Sequence, residues 1–328
     1  DHHRTLKDTY PAMKRFVDYL ERTSTDLIAR PGLGDWYAYG HGGAMGPSRF
    51  TPPEQTGTAI FYDCTRVVAK TAELLGEESD AAVYSQLADR IKRKFNTAYF
   101  NGTDEYQNLG SPQTANAMAL ETGLVDPTRA RDVVQKIVVD IRDRGNQQTS
   151  GDVGFTYLVR ALARHGHSDV LFDVTNRRDI GSYGFIIDHG WTSMPEAWDA
   201  GTSASMNHCM LGHIQQWFYH HLAGIQGDPT GPGFKRIIIR PQVVGDLTWV
   251  KSHHDSLHGR IVVHWQRDAD RLKMEVTIPV NTTATVYVPT TNSQNVMESG
   301  APAANAEHIK FLRLVRGTAV FEVSSGNY

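Results

Sequence analysis

With two cysteines among 328 residues, this chain is no disulfide framework. A chain of that size needs no covalent staple, and Cys64 and Cys209 are expected as buried free thiols. No stretch approaches the ~18 consecutive apolar residues of a membrane span, so no membrane contact is expected. Net charge is -3, from 33 basic and 36 acidic side chains, and the basic face that nucleic-acid binding requires is missing. There is no HExxH, no paired CxxC, no EF-hand loop, no P-loop and no G-x-S-x-G elbow. His2-His3, His220-His221 and His253-His254 are adjacent pairs, which point apart on a helix or strand. Zinc hydrolases, nucleotide enzymes and serine hydrolases are set aside on these grounds, and no metal or cofactor is expected. "DHHRTLKDTY" lacks both an initial Met and the character of a signal peptide, so the numbering is expected to begin inside a longer polypeptide. The cellular compartment stays open.

What is present divides into two patterns. Up to about residue 225 the sequence reads as roughly eight helices. Met13, Phe16, Val17 and Leu20 recur at helical spacing, and "TPPEQTGTAIFYDCTRVVAKTAELLG" opens with proline in its first turn and closes on Gly76. The last helix is read over "SASMNHCMLGHIQQWFYHHLAGI". After "QGDPTGPGF" the residues become β-branched and alternating, with turn residues between the runs. The expected domains are therefore 1–228, helical, and 229–328, a small antiparallel β-sandwich. Repeated helical hairpins can stack as a solenoid or close into a toroid. Long loops carrying Trp, Asp, Glu and His favour a closed α/α barrel with a pocket on its loop face, since solenoid loops are short and regular.

Two of those loops join acids to indoles. "GWTSMPEAWDAGTSASMN" sets Glu196 between Trp191 and Trp198, and a carboxylate desolvated by such walls can act as general acid or base near neutrality. "GLGDWYAYG" repeats the association in Asp35 and Trp36, with Gly32, Gly34, Gly40, Gly42 and Gly43 allowing sharp turns and close backbone approach. Sugars offer a C–H face for aromatic stacking and a hydroxyl rim for carboxylates and imidazoles. His208, read at a helix start, can hydrogen-bond such a hydroxyl or tie down the helix end. Asp152 and Glu54 are read as simple helix caps.

"LGDW" at 33–36, "TPPEQTGTAIFY" at 51–62, "QTANAMAL" at 113–120, "PEAWD" at 195–199, "SMNHCMLGHIQQWFYHHLAGI" at 205–225 and the tail "GPGFKRIIIRPQ" together resemble the α-L-rhamnosidases of glycoside hydrolase family 78. The resemblance implies an (α/α)6 toroid followed by a β-sandwich, acting on rhamnose-containing glycosides or polysaccharides with inversion. An inverting pair of carboxyl groups stands about 6.5–9.5 Å apart. The resemblance makes Glu196 the general base, although Pro195 stands where the family usually has tryptophan. It places Trp36 and His208 against the sugar, and the acid-and-indole pattern read above adds Asp35, Trp191 and Trp198 as further binding residues. The family's general-acid segment, of Asp-Glu-Arg-x-Gly-Trp type, is absent, and about eight helices stand where twelve are implied. An upstream segment of the same protein, or another chain, is expected to close the barrel and supply the acid. Another α/α-barrel carbohydrate enzyme, a phosphorylase or a lyase, is the alternative, and a non-catalytic carbohydrate-binding relative is the second.

Overall fold

Proline and glycine set the helix boundaries. Pro52 and Pro53 start the helix Pro53–Leu75, and Gly76, in the left-handed conformation at φ 78°, ends it with its N–H on the Glu73 carbonyl. The computed structural model describes residues 3–40, 46–200, 205–269 and 271–328, so Gly42 and Gly43 lie outside the described residues. Among the described residues the helices are α1 (His3–Thr23), α2 (Pro53–Leu75), α3 (Glu78–Tyr99), α4 (Gln113–Thr122), α5 (Ala130–Asp143), α6 (Gly154–Arg164), α7 (Ser168–Thr175), α8 (Tyr183–Asp188) and α9 (Ile214–Trp217). The chain forms two compact units, Asp1–His213 and Ile214–Tyr328.

In the first unit α1 packs on α2, α2 on α3 and α4, and α4 on α5 and α6. The apolar stripes face inward: Val133, Val134, Ile137 and Ile141 of α5 are buried, as are Phe155, Leu158, Val159 and Leu162 of α6. On α1 the expected stripe is narrower, because Val17 is fully buried while Phe16 is half exposed. The short helix α8 was not expected. Its N-cap is Ser182, whose hydroxyl accepts from Phe185 N–H. The long helix expected from residue 203 begins only at Met210, as a 3-10 turn that runs into α9 and a π-turn at Phe218–Leu222. Its first residues are taken up elsewhere: Ser205 and His208 pair their backbone with Glu196 and Met194. Both cysteines are free, as expected, but Cys64 is only half buried and Cys209 is exposed.

The second unit adds the strands β1 (Ile225–Gly227), β2 (Arg236–Ile239), β3 (Trp249–Ser256), β4 (Gly259–Asp268), β5 (Arg271–Ile278), β6 (Thr283–Pro289), β7 (Met297–Glu298), β8 (Ala301–Pro302), β9 (Ile309–Val315), β10 (Thr318–Val323) and β11 (Gly326–Asn327). One sheet has the order β1-β2-β6-β10-β9 and the other β11-β5-β4-β3. All pairs within them are antiparallel except β2 with β6, which run parallel. Alternation puts Ile237, Ile239, Val286 and Phe321 of the first sheet against Ile261, Val263, Trp265 and Ile278 of the second in one apolar layer. Trp265, 2% exposed, donates its indole N–H to the Leu222 carbonyl at 2.8 Å. Trp265→Phe leaves that acceptor without its donor. The expected loss is about 1–3 kcal/mol, read as a lower urea midpoint at unchanged m-value.

Candidate functional site

The segment Gln148–Gly154, which leads into α6, gathers the acids and indoles of the distant loops. Asp35 is 1% exposed. Its Oδ2 accepts from Gly151 N–H at 2.9 Å and Thr114 Oγ1 at 2.7 Å, and its Oδ1 accepts from Gly154 N–H at 2.7 Å. A side chain from a remote loop therefore satisfies the free N–H groups at the start of α6. Burial raises its proton affinity, and these donors, with the Val153 N–H, pull it part of the way back. Asp35 thus reaches no ligand directly, contrary to the expectation that it grips a sugar: its oxygens are spent inside the fold.

The next residue is held by its backbone. Trp36 O accepts from Asp152 N–H at 2.8 Å, and Tyr39 N–H donates to Thr149 O at 2.9 Å. Trp36 itself stays partly exposed and stands edge-on to Tyr37, with 5.7 Å between ring centroids. These bonds need two glycines. A Cβ on Gly151 would sit 2.6 Å from Ala38 N, and one on Gly154 would sit 2.6 Å from Asp35 Oδ2.

Glu196 and His208 come from one doubled-back segment. Glu196 N–H donates to Ser205 O at 2.8 Å, Ser205 N–H donates to Glu196 Oε2 at 3.1 Å, and His208 N–H donates to Met194 O at 2.8 Å. Ser193 Oγ also bonds Met206 O. Residues 193–196 and 205–208 thus lie side by side, with the Glu196 and His208 side chains partly exposed.

Trp198 goes the other way. It is 1% exposed, donates its Nε1–H to Ser150 O at 3.1 Å, and stands edge-on to Phe155 and Tyr183 at 5.1 and 5.2 Å. Its expected place on a sugar wall is overturned by this burial, since aromatic packing and the indole hydrogen bond hold it in the core. Trp191 is half buried and packs on Phe185 and His189.

Asp152 links these parts, and sequence reasoning missed it. It caps nothing: α6 has no side-chain cap bond from its N-cap position, Val153. Its residue surface is 7% exposed, and among the described residues its Oδ1 is buried without a partner. Its Oδ2 lies 3.8 Å from His208 Nε2. Burial, then the carboxylates of Asp35 and Glu196, push its carboxyl up to about 7. Around this one residue stand the Trp36 backbone, the charge of Glu196 and the ring of His208. The signal in the sequence was "SGDVG", an acid between two glycines just before a helix.

Gly151→Ala and Gly154→Ala are each expected to lower stability by about 1–3 kcal/mol or more. Gly32, with nothing within 4 Å of a built Cβ, is the control, and Gly32→Ala should stay within about 0.5 kcal/mol of the parent. Chemical denaturation measures all three.

Residues 1–222 match the family described as bacterial alpha-L-rhamnosidase 6 hairpin glycosidase domain, and residues 224–302 match the bacterial alpha-L-rhamnosidase C-terminal domain. An alpha-L-rhamnosidase of Streptomyces avermitilis is 31% identical over 99% of this chain and 30% of its own length. The crystal structure of the Streptomyces avermitilis alpha-L-rhamnosidase complexed with L-rhamnose superposes with a TM-score of 0.86 at 30% identity, covering 99% of this chain and 30% of that one. The alpha-L-rhamnosidase structure from Dictyoglumus thermophilum gives 0.88 at 29% identity, over 99% of this chain and 37% of that one. The chain thus spans about a third of the length of the relatives it matches. A helical six-hairpin glycosidase domain followed by a β-sandwich is the architecture these matches share with the fold described above, and the chain belongs to the bacterial alpha-L-rhamnosidase six-hairpin glycosidase family.

Proposed function

We propose that this chain carries the base side of an inverting hydrolase that releases terminal α-L-rhamnose from glycosides or polysaccharides. The observation that carries the proposal is the convergence of Trp36, Glu196 and His208 around Asp152, from loops that lie far apart in sequence. Glu196 is the general base: it is partly exposed, and one carboxylate oxygen is already aimed by Ser205 N–H. That leaves the other oxygen for the attacking water. Trp36 supplies an apolar face and His208 a hydrogen-bonding group for a sugar hydroxyl, while Trp191 forms an outer wall. Asp35 and Trp198 build the site from beneath. The acid that protonates the leaving oxygen is assigned to residues outside this chain, in keeping with the share of its relatives' length that the chain covers.

The test is hydrolysis of an aryl α-L-rhamnoside by the full-length protein, compared with aryl glycosides of other sugars. Only the rhamnoside should be cleaved. Glu196→Gln should lower kcat by about 10²–10⁴-fold and change KM little, because the lost interaction belongs to the transition state. Near-normal turnover in this variant would move the base to another residue.

A further inference from the structure

We propose that Asp152 is the positioning residue of this site, a buried carboxylic acid that orients the His208 imidazole and keeps a second negative charge away from Glu196. The inference rests on the reading of Trp36, Glu196 and His208 as the sugar subsite, and it adds a role that the sequence did not suggest.

Geometry comes first. The backbone of Asp152 is pinned by its N–H on Trp36 O, and the crowding at Gly151 and Gly154 leaves no room to shift. The backbone from which the carboxyl projects is therefore fixed, and the side chain is only 9% exposed. Among the described residues its Oδ1 meets no donor. An ionised oxygen buried without a donor is costly, whereas the carbonyl of a protonated acid left in that place costs less. The charged and titratable groups that face it are Asp35 from the loop before α2, and Glu196 and His208 from the doubled-back segment. Among the described residues no Lys or Arg pairs with it. Two neighbouring acids and no fixed cation favour the protonated form, and the carboxyl's rise to about 7 agrees.

Consequences for His208 follow from proton bookkeeping alone. Oδ2 and Nε2 are 3.8 Å apart, and the imidazole is one-third exposed, so a small ring rotation closes the gap to a hydrogen bond. A protonated Asp152 donates to Nε2 and leaves the remaining ring proton on Nδ1, which then faces the sugar as a donor. Once Asp152 ionises, it accepts from Nε2–H instead, and Nδ1 faces the sugar as an acceptor. Asp152 does not touch the substrate. It sets which tautomer does.

Two measurements on the full-length protein test this. The first is the melting temperature from pH 5 to 8. The folded state keeps the Asp152 proton up to about pH 7, whereas an unfolded Asp releases it near ~3.9. Between those values the folded state holds more protons, so stability falls as pH rises. Asp152→Asn should flatten that decline, and because Asp35 is common to both proteins, the difference isolates Asp152. The second is the pH dependence of KM for an aryl α-L-rhamnoside, with L-rhamnose binding as the activity-independent probe. Between pH 6 and 8 the parent should lose about three- to tenfold in affinity, the worth of one hydrogen bond. The Asn variant, whose amide donates at every pH, should show no such slope. Asp152→Ser, smaller and also uncharged, serves as the second variant. A slope equally steep in the variants and the parent, in melting and in binding, would overturn the proposal. A melting difference that changes with pH as expected, in a protein that neither binds nor cleaves rhamnosides, would instead overturn the proposed function and leave the buried proton standing.

Discussion

The buried carboxyl of Asp35 is the contact on which the functional face depends. It joins a loop ahead of α2, the Thr114 hydroxyl on α4 and two backbone N–H groups at the entry to α6. A carboxyl in the interior is tolerable only where its acceptor capacity is met, and each such bond is worth about 1–3 kcal/mol when its loss strands a buried group. Three of them fix the height of α6 against the loop. The next residue along each chain, Trp36 on one side and Asp152 on the other, is placed as a result.

A division of labour follows between neighbours. Asp35 and Trp36 are adjacent, yet one faces the interior and the other stays partly exposed. Trp198 and Glu196 repeat this two residues apart: the indole is locked under Ser150 and between two aromatic rings, while the carboxylate stays at the surface. In both loops a buried member anchors and its neighbour stays partly exposed. The exposed side chains are thus held by contacts made in the interior, the preorganisation that a site built on loops needs.

Much of the fold was legible in the sequence. Proline at helix starts, glycine at helix ends and the switch from a 3.6-residue to a two-residue period are local signals, and the helices and most strands followed from them. The strands β1, β7, β8, β9 and β11 escaped: four of them are two or three residues long, and β9 is an edge strand that mixes Lys310 and Arg313 with exposed apolar residues. The parallel pairing of β2 with β6 could not be read either, because register between strands distant in sequence leaves no local trace. At the site, the association of acid with indole marked loops that meet at Gln148–Gly154, but not the direction in which each side chain turns. The donors to Asp35 lie 79, 116 and 119 residues away. Asp152 looked like a helix cap because nothing within a turn of it reveals the acids and the imidazole that tertiary folding brings to its side.

The doubled-back segment has one more consequence. Because 193–196 and 205–208 are fastened to each other, the backbones that carry Glu196 and His208 rest on the same few bonds. A substitution that loosens this ladder shifts both side chains together. The imidazole and the carboxylate therefore behave as one mechanical unit, although twelve positions separate them in the chain.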